Sequence, residues 1–252
     1  MDHHTEKGNV FIFILLAIAL LGLLTVALSR SSSDSNETGD FERQQIIASD
    51  ILNYTKSIEI AVQNLLARGC GENSISFWHD SNGDGTEDGS DDYYNAGAPT
   101  DHSCHIFKPE GTGLAYAAPK TEWLDSNFSA SADYGNIIFT GNLHKPTKTD
   151  VAGNTLRKKD LIIIFPYLNQ TICQRVNLLS EAAIASTNPP KEDDTDAANF
   201  KVKFTGAFTL GSDIDGNGSD PAANVFTNVD SGCTRPDDED SFMAFYVLNH
   251  RD

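Results

Sequence analysis

The sequence predicts an α+β protein: an N-terminal transmembrane helix, then an amphipathic helix packed on an antiparallel β-sheet head domain. Three observations lead to this prediction. Residues 10–28 are uncharged and largely apolar, residues 43–68 repeat apolar side chains at helical spacing, and the chain after Cys70 consists of short β-prone runs separated by Gly, Asn, Asp and Pro. Helices followed by strands are typical of a helix laid across an antiparallel sheet.

The apolar segment is long enough to cross a bilayer. Val10 to Leu28 carry no charge, and at about 1.5 Å per residue this length reaches roughly 30 Å, the thickness of a hydrocarbon core. A cleaved export signal has a shorter apolar region, about 7 to 15 residues, and a small-x-small cleavage site. Val26-Ala27-Leu28 is a poor match to such a site. We therefore expect a transmembrane or assembly helix at 9–30, after a leader-like segment at 1–8.

A polar linker and a second helix are expected next. The run SSSDSNETGD has no apolar periodicity, which indicates a linker at 31–42. Beyond it, apolar residues recur at steps of three and four, as on one face of a helix that ends at Gly69. These residues are Ile47, Ile51, Tyr54, Ile58, Ala61 and Leu65. Residues 43–252 are expected to form one exported head domain.

Six runs in the head domain have strand character. They are SISFW, CHIF, GNIIFTG, LIIIFPYL, FKVKFTGAFTL and FMAFYVL. FKVKFTGAFTL alternates as a half-buried strand does, whereas LIIIF is apolar throughout, as in a strand covered on both faces. NQTICQRVNLL is consistent with a short helix.

The charge balance argues against nucleic acid as a partner. Acidic residues outnumber basic ones 36 to 18, for a formal net charge of −18, so a phosphate backbone would be repelled. Divalent cations are the natural alternative partner. The acidic runs are also consistent with ordinary solvated loops.

The four cysteines indicate two disulfides. Cys70, Cys104, Cys173 and Cys233 match no zinc spacing, because no two lie within four residues of each other. Four cysteines allow three connectivities, and we favour Cys70 with Cys104 and Cys173 with Cys233, since each bridge then closes one half of the chain. Buried free thiols in a cytosolic protein are the alternative.

The run DSNGDGTEDGSD has the spacing of an EF-hand-type calcium loop. Gly85 at position 6 permits the sharp turn, and short oxygen side chains at alternate positions converge on one hard cation. The predicted ligands at positions 1, 3, 5, 7, 9 and 12 are Asp80, Asn82, Asp84, Thr86, Asp88 and Asp91. The pattern prefers Glu at position 12, and an acidic solvated turn is the alternative interpretation.

A second, weaker loop follows at 213–224. Asp213, Asp215 and Asn217 occupy positions 1, 3 and 5, with Gly218 at position 6. Pro221 and Asn224 then occupy positions 9 and 12, where further ligands are expected. Fewer oxygen ligands are therefore available to bind calcium in this loop.

No hydrolytic or nucleotide-binding motif is present. HExxH, GxSxG, Walker A and GxGxxG are all absent from the sequence, so we expect neither an enzyme nor a small-molecule substrate. HSCH at 102–105 admits a metal-binding interpretation, but a strand that carries half of a disulfide is favoured, because the other cysteines supply a partner for Cys104. An active site assembled from scattered residues is a further alternative.

Lys7-Gly8 followed directly by a long apolar helix resembles the class III signal of type IV pilins and type II secretion pseudopilins. The resemblance implies cleavage after Gly8, a methylated mature terminus at Asn9, and a helix-then-sheet fold. Calcium in a carboxyl-terminal loop also occurs in several pseudopilins. The family usually has an apolar first residue and Glu as the fifth mature residue, where this chain has Asn9 and Phe13.

The resemblance implies a filament subunit of a type IV pilus or a type II secretion system. Such a subunit would be a single-pass inner-membrane protein with its head in the periplasm or at the cell surface. Its partners would be the membrane and other pilin-like subunits, contacted through the apolar helix. The alternative is a bitopic calcium-binding adhesion or interaction domain that forms no filament.

Overall fold

The computed structural model describes residues 9–146, 158–182, 188–193, 195–209, 211–216 and 225–251. Helix α1 spans Asn9–Ala67, α2 spans Gln170–Leu179 and α3 spans Ala197–Phe200. The strands are β1 at Ile138–Leu143, β2 at Asp160–Phe165, β3 at Ser231–Thr234 and β4 at Met243–Asn249. Short 3-10 helices lie at Glu72–Ser74, Thr121–Trp123 and Ser126–Phe128. The predicted α+β class is confirmed.

Helix α1 is continuous over 59 residues, including the predicted linker at 31–42. That segment contains no Pro, and Ser, Asp and Asn cost a helix only tenths of a kcal/mol each. Extending an existing helix also costs much less free energy per residue than nucleating a new one. A polar composition therefore does not end the helix, and the predicted break is wrong.

The predicted transmembrane helix at 9–30 is also wrong. Across the parts of the chain that the structure describes, no helix has the length and apolar character that crossing a membrane requires. The single-pass inner-membrane location that the segment suggested has no support.

The chain divides into two compact units, Met1–Gln44 and Gln45–Asp252. In the second unit, the predicted apolar face of α1 is buried. Ile51, Ile58 and Leu65 are at most 1% exposed, whereas Tyr54 is half-buried and its hydroxyl donates to the Ala115 carbonyl at 3.3 Å. The helical repeat therefore identifies the buried face correctly.

A four-stranded antiparallel sheet forms the centre of the second unit, in the order β1-β2-β4-β3. Alternate residues of β2 face opposite layers, as the strand geometry requires. Leu161 and Ile163 belong to the core that contains the α1 face. Ile162 and Ile164 belong to a second core with Phe200 of α3. LIIIF is thus covered on both faces, as its composition predicts.

Not every predicted strand forms. SISFW and CHIF meet only in a single parallel bridge, Ser76 with His105. FKVKFTGAFTL makes isolated hydrogen bonds to β1, such as Phe204 N to Phe139 O at 2.8 Å. Gly206, with φ of +89°, turns the backbone out of the extended conformation. Conversely, β3 has the sequence SGCT, which carries no apolar alternation.

Both favoured disulfides are present. Cys70 is bonded to Cys104 across 34 residues, and Cys173 to Cys233 across 60. The second bridge ties α2 to β3. Disulfides persist in oxidising compartments and are rare in the cytosol, so they indicate a location outside the cytoplasm.

Candidate functional site

The predicted calcium loop at 80–91 winds tightly around its own side chains. Asp80 accepts hydrogen bonds from the amides of Gly83 at 2.8 Å and Gly85 at 3.2 Å. Gly83 and Gly85 have φ of +78° and +73°, in the left-handed region where a side chain is disfavoured. The glycine at position 6 therefore has the role that the loop pattern assigns to it.

The next two predicted ligands continue the same winding. Asn82 accepts from the Asp84 amide at 3.0 Å, and Asp84 accepts from the Thr86 amide at 2.7 Å. In each case a side-chain oxygen bonds the amide two residues later, which turns the backbone without a helix or strand. The oxygens at positions 1, 3 and 5 consequently occupy one exposed turn.

Asp88 follows at position 9. Hydrogen bonds from the Ser90 hydroxyl at 2.6 Å and the Ser90 amide at 2.8 Å hold the pKa of Asp88 below its usual value. The carboxylate is therefore ionised at neutral pH, the state in which it binds a cation.

Asp91, at position 12, anchors the loop to the core and is only 9% exposed. One carboxylate oxygen accepts from the Trp78 indole at 2.9 Å and from the Asp88 amide at 3.1 Å. The other oxygen is buried and has no hydrogen-bond partner among the described residues. Such an oxygen is costly to desolvate, and a cation in the loop would satisfy it.

The second predicted loop is described only in its first part. Asn217 lies outside the described residues. Asp213 contacts the Lys159 ammonium at 3.5 Å. Asp215 donates its amide to the Glu192 carboxylate at 3.2 Å. The described residues of this loop form an ion pair and a backbone hydrogen bond, and calcium binding at 213–224 stays a prediction.

Glu192 is a buried carboxylate that the loop pattern does not include. It accepts from the Gly216 amide at 3.0 Å and from the Thr234 hydroxyl at 2.6 Å. Burial raises the pKa of Glu192 to about 8. Glu192 therefore holds the first residues of the second loop through the amides of Asp215 and Gly216.

A different group of potential ligands comes together where no calcium ligand was predicted. Glu87, His102 and His105 each offer one ligand atom, and these atoms all lie within 4.8 Å of one another. The HSCH motif contains two of the three residues. Glu87 lies fifteen residues before His102. This separation matches no known metal-binding motif, so the sequence alone did not connect the two residues.

The Glu87 cluster borders a pocket of about 180 Å³. Its other lining residues are Tyr94, Asn95, Ala96, Ala98, Pro99 and Thr100. His105 is 1% exposed, whereas the His102 side chain is 37% exposed. The cluster is therefore buried on one side and open on the other.

The two processing residues remain predictions. Gly8 lies outside the described residues, and Asn9 is the first residue of α1. Nothing in the fold tests cleavage between them.

Comparison with known proteins adds no relative. The chain matches no model of a protein family, no curated protein and no solved structure.

Proposed function

We propose that this protein is an assembly subunit of a filament of the type IV pilus or type II secretion kind, and that it acts outside the cytoplasm. The apolar residues of α1 contact the same residues of other subunits. The disulfide-bonded sheet unit carries a calcium ion in the loop at 80–91. The mechanism is association between subunits, with no reaction on a substrate.

The exposed apolar surface of α1 carries this proposal. Six large aliphatic side chains between Ile14 and Leu21 are each 51% to 63% exposed. They are Ile14, Leu15, Leu16, Ile18, Leu20 and Leu21. Contiguous apolar patches on soluble proteins mark sites of association.

The distribution of these residues favours several partners over one. Ile14, Leu15 and Leu16 are consecutive and therefore point in directions about 100° apart around the helix. One partner surface covers only one face of a helix. A bundle of α1 helices from several subunits covers all of its faces, which favours copies of this chain as the occupants.

Burial of these side chains favours association. Full burial of a Leu or Ile side chain is worth about 1.5 to 3 kcal/mol. Because these side chains are about half exposed, completing their burial contributes about 1 kcal/mol each. The six residues of each subunit together contribute about 6 kcal/mol, which offsets part of the cost of association, about 4 to 15 kcal/mol.

Two further features support a pilin-like subunit. A long helix precedes an antiparallel sheet, the order that the resemblance implies. Lys7-Gly8 also stands immediately before α1, as in class III signals. Cleavage there would leave Asn9 as the first residue.

Calcium has a structural role in this proposal. Asp80, Asp84, Asp88 and Asp91 lie within twelve residues, and their mutual repulsion disfavours a compact loop. A bound Ca²⁺ offsets that repulsion and satisfies the buried Asp91 oxygen. Affinity is expected in the range of extracellular modules, about 10⁻⁴ to 10⁻³ M.

The association state of the full chain tests the proposal. Leu16→Gln with Leu20→Gln removes two apolar side chains that are 57% and 58% exposed, and Gln keeps the helix propensity of Leu. The matched control is Ile60→Gln with Leu178→Gln, at residues that are 52% and 59% exposed. Analytical ultracentrifugation without detergent measures the size of each.

We expect the wild-type chain and the control to sediment as oligomers and the Leu16/Leu20 variant to shift towards the monomer. Near-ultraviolet circular dichroism should be the same for all three proteins. A monomeric wild type, or equal association of both variants, would contradict the proposal. Binding of a monomeric wild type to lipid vesicles would also contradict it, because lipid would then be the occupant of the apolar surface.

A further inference from the structure

We propose that Glu87, His102 and His105 form a second metal site, which binds a divalent transition-metal ion of the zinc class. The ligands are the Nε2 atoms of the two histidines and a carboxylate oxygen of Glu87. This site is separate from the surface proposed for subunit assembly, and its ligands are not those predicted for calcium. It would join the loop at 80–91 to the turn at 99–105.

The distances are close to those of a first coordination shell. The His102 Nε2 atom lies 3.4 Å from one Glu87 carboxylate oxygen, and the His105 Nε2 atom lies 2.8 Å from the other. Tetrahedral ligands about 2.0 to 2.1 Å from Zn²⁺ are themselves about 3.3 to 3.4 Å apart. The His102 contact already has this length, whereas the 2.8 Å contact of His105 is made with the other Glu87 oxygen. One ligand atom from each of the three residues lies within 4.8 Å of the other two, so small side-chain adjustments would bring them to coordination distances.

Two buried polar atoms in the cluster have no hydrogen-bond partner among the described residues. They are the Glu87 Oε2 atom near His102 and the His105 Nδ1 atom. The Glu87 side chain is 14% exposed and the His105 side chain 1%. Bulk water therefore cannot replace the missing hydrogen bonds of these atoms effectively. A metal at the cluster would satisfy the Glu87 oxygen directly.

The backbone holds both histidines before any ion binds. His102 has φ of +58°, a conformation uncommon for residues with a side chain, and its amide donates to the Pro99 carbonyl at 3.0 Å. The His105 amide donates to the His102 carbonyl at 3.1 Å. Between them, Cys104 is fixed by its bond to Cys70.

A second contact restrains His105 from the other side. The Thr112 amide donates to the His105 carbonyl at 3.1 Å. A Cβ atom on Gly111 would lie 1.7 Å from that same carbonyl oxygen, so only glycine permits this approach. The ligand that is least exposed is therefore also the most firmly positioned.

The ligand types select the metal. Two imidazoles with one carboxylate suit Zn²⁺ and its neighbours in the first transition row, whereas Ca²⁺ and Mg²⁺ prefer oxygen ligands. Glu87 is position 8 of the calcium loop, which is not a ligand position in that pattern. The chain can therefore fill both sites at once. A fourth zinc position would face the pocket lined by Tyr94 and Thr100.

Isothermal titration of the full, disulfide-bonded chain with Zn²⁺ tests the site. Visible absorption of bound Co²⁺ reports tetrahedral geometry in parallel. His102→Asn removes one ligand, and Asn tolerates the left-handed conformation at this position. His250→Asn is the matched control, since the His250 side chain is 36% exposed, against 37% for His102, and also contacts a carboxylate, that of Asp230.

We expect one equivalent of Zn²⁺ to bind the wild type and the His250→Asn control alike. His102→Asn should weaken binding by more than about tenfold and abolish the Co²⁺ absorption. Glu87→Gln should also weaken binding, and it tests a second ligand with a nearly isosteric side chain. Excess Ca²⁺ should not displace zinc.

Two results would overturn the proposal. The first is a wild-type chain that binds no Zn²⁺. The second is binding of equal strength in the wild type, His102→Asn and Glu87→Gln, which would place the ion at other residues.

Discussion

Removing the disulfide that joins α2 to β3 should strongly destabilise the sheet unit. Cys173 and Cys233 are both 0% exposed, and their bond closes a loop of 60 residues. The chain-entropy relation assigns about 4.3 kcal/mol to such a loop. Alanine at both positions removes this constraint and leaves a small cavity in the core.

The expected shift in melting temperature follows from the size of the unit. Unit Gln45–Asp252 contains 208 residues, and for a domain of this size 1 kcal/mol corresponds to about 2 to 4 °C. The Cys173→Ala/Cys233→Ala variant should therefore melt about 9 to 17 °C below the wild type. Differential scanning calorimetry under non-reducing conditions measures this change.

The other disulfide provides the comparison. Its loop of 34 residues corresponds to about 3.8 kcal/mol, slightly less than the first. Cys70 is only half-buried, whereas Cys104 is 4% exposed, so Cys70→Ala/Cys104→Ala removes less core packing. We expect this variant to be destabilised, but less than the Cys173/Cys233 variant.

A reductant supplies the internal control. Reduced wild-type protein should melt below either double variant, because it lacks both loop constraints. A Cys173→Ala/Cys233→Ala variant that melts within about 3 °C of the wild type would refute the entropic reasoning. Equal melting of reduced and oxidised wild type would do the same.

Two further predictions concern calcium and pH. Calcium at 10 mM, about 10 to 100 times the expected Kd, should stabilise the wild type by about 1.4 to 2.7 kcal/mol in chelator-controlled thermal melts. Calcium should no longer stabilise the Asp84→Asn variant. It should still stabilise Asp101→Asn, a control that alters another exposed turn. Equal stabilisation of both variants would exclude the loop at 80–91 as the calcium site. Contacts with Asp160 and Asp230 raise the pKa of His250 to about 9. Protonated His250 therefore stabilises the folded protein fully below pH 6.5, and this stabilisation is lost as the pH rises through 9. After a discount for the partial exposure of His250, His250→Gln should lower the free energy of unfolding by about 1 to 2 kcal/mol at pH 6 and by little at pH 10. Urea unfolding at the two pH values measures this, and an equal loss at both would contradict the prediction.

Local patterns were sufficient for several elements. The repeat from Ile47 to Leu65 identifies the buried face of α1, because helical spacing alone decides which side chains share a face. The uniform apolar character of LIIIF indicates a central strand. The even division of the cysteines along the chain suggested the pairing that the fold contains.

Other elements depend on contacts between distant residues. FKVKFTGAFTL alternates like a strand, yet it forms no ladder in the described residues, because Gly206 turns its backbone. SGCT lacks a strand pattern and still forms β3, because β4 supplies its hydrogen bonds. The polar segment at 31–42 remains helical because helix on both sides lowers the cost of continuing.

The sequence by itself determined the α+β class, the buried face of α1, the cysteine pairing and the turn-forming character of the loop at 80–91. These features depend on spacing along the chain. Only the tertiary structure brought Glu87 to His102 and His105, left one Asp91 oxygen buried without a hydrogen-bond partner among the described residues and placed α3 on the second face of the sheet. Such contacts form between residues that the fold brings together from distant parts of the chain. The spacing of residues along the sequence does not specify them.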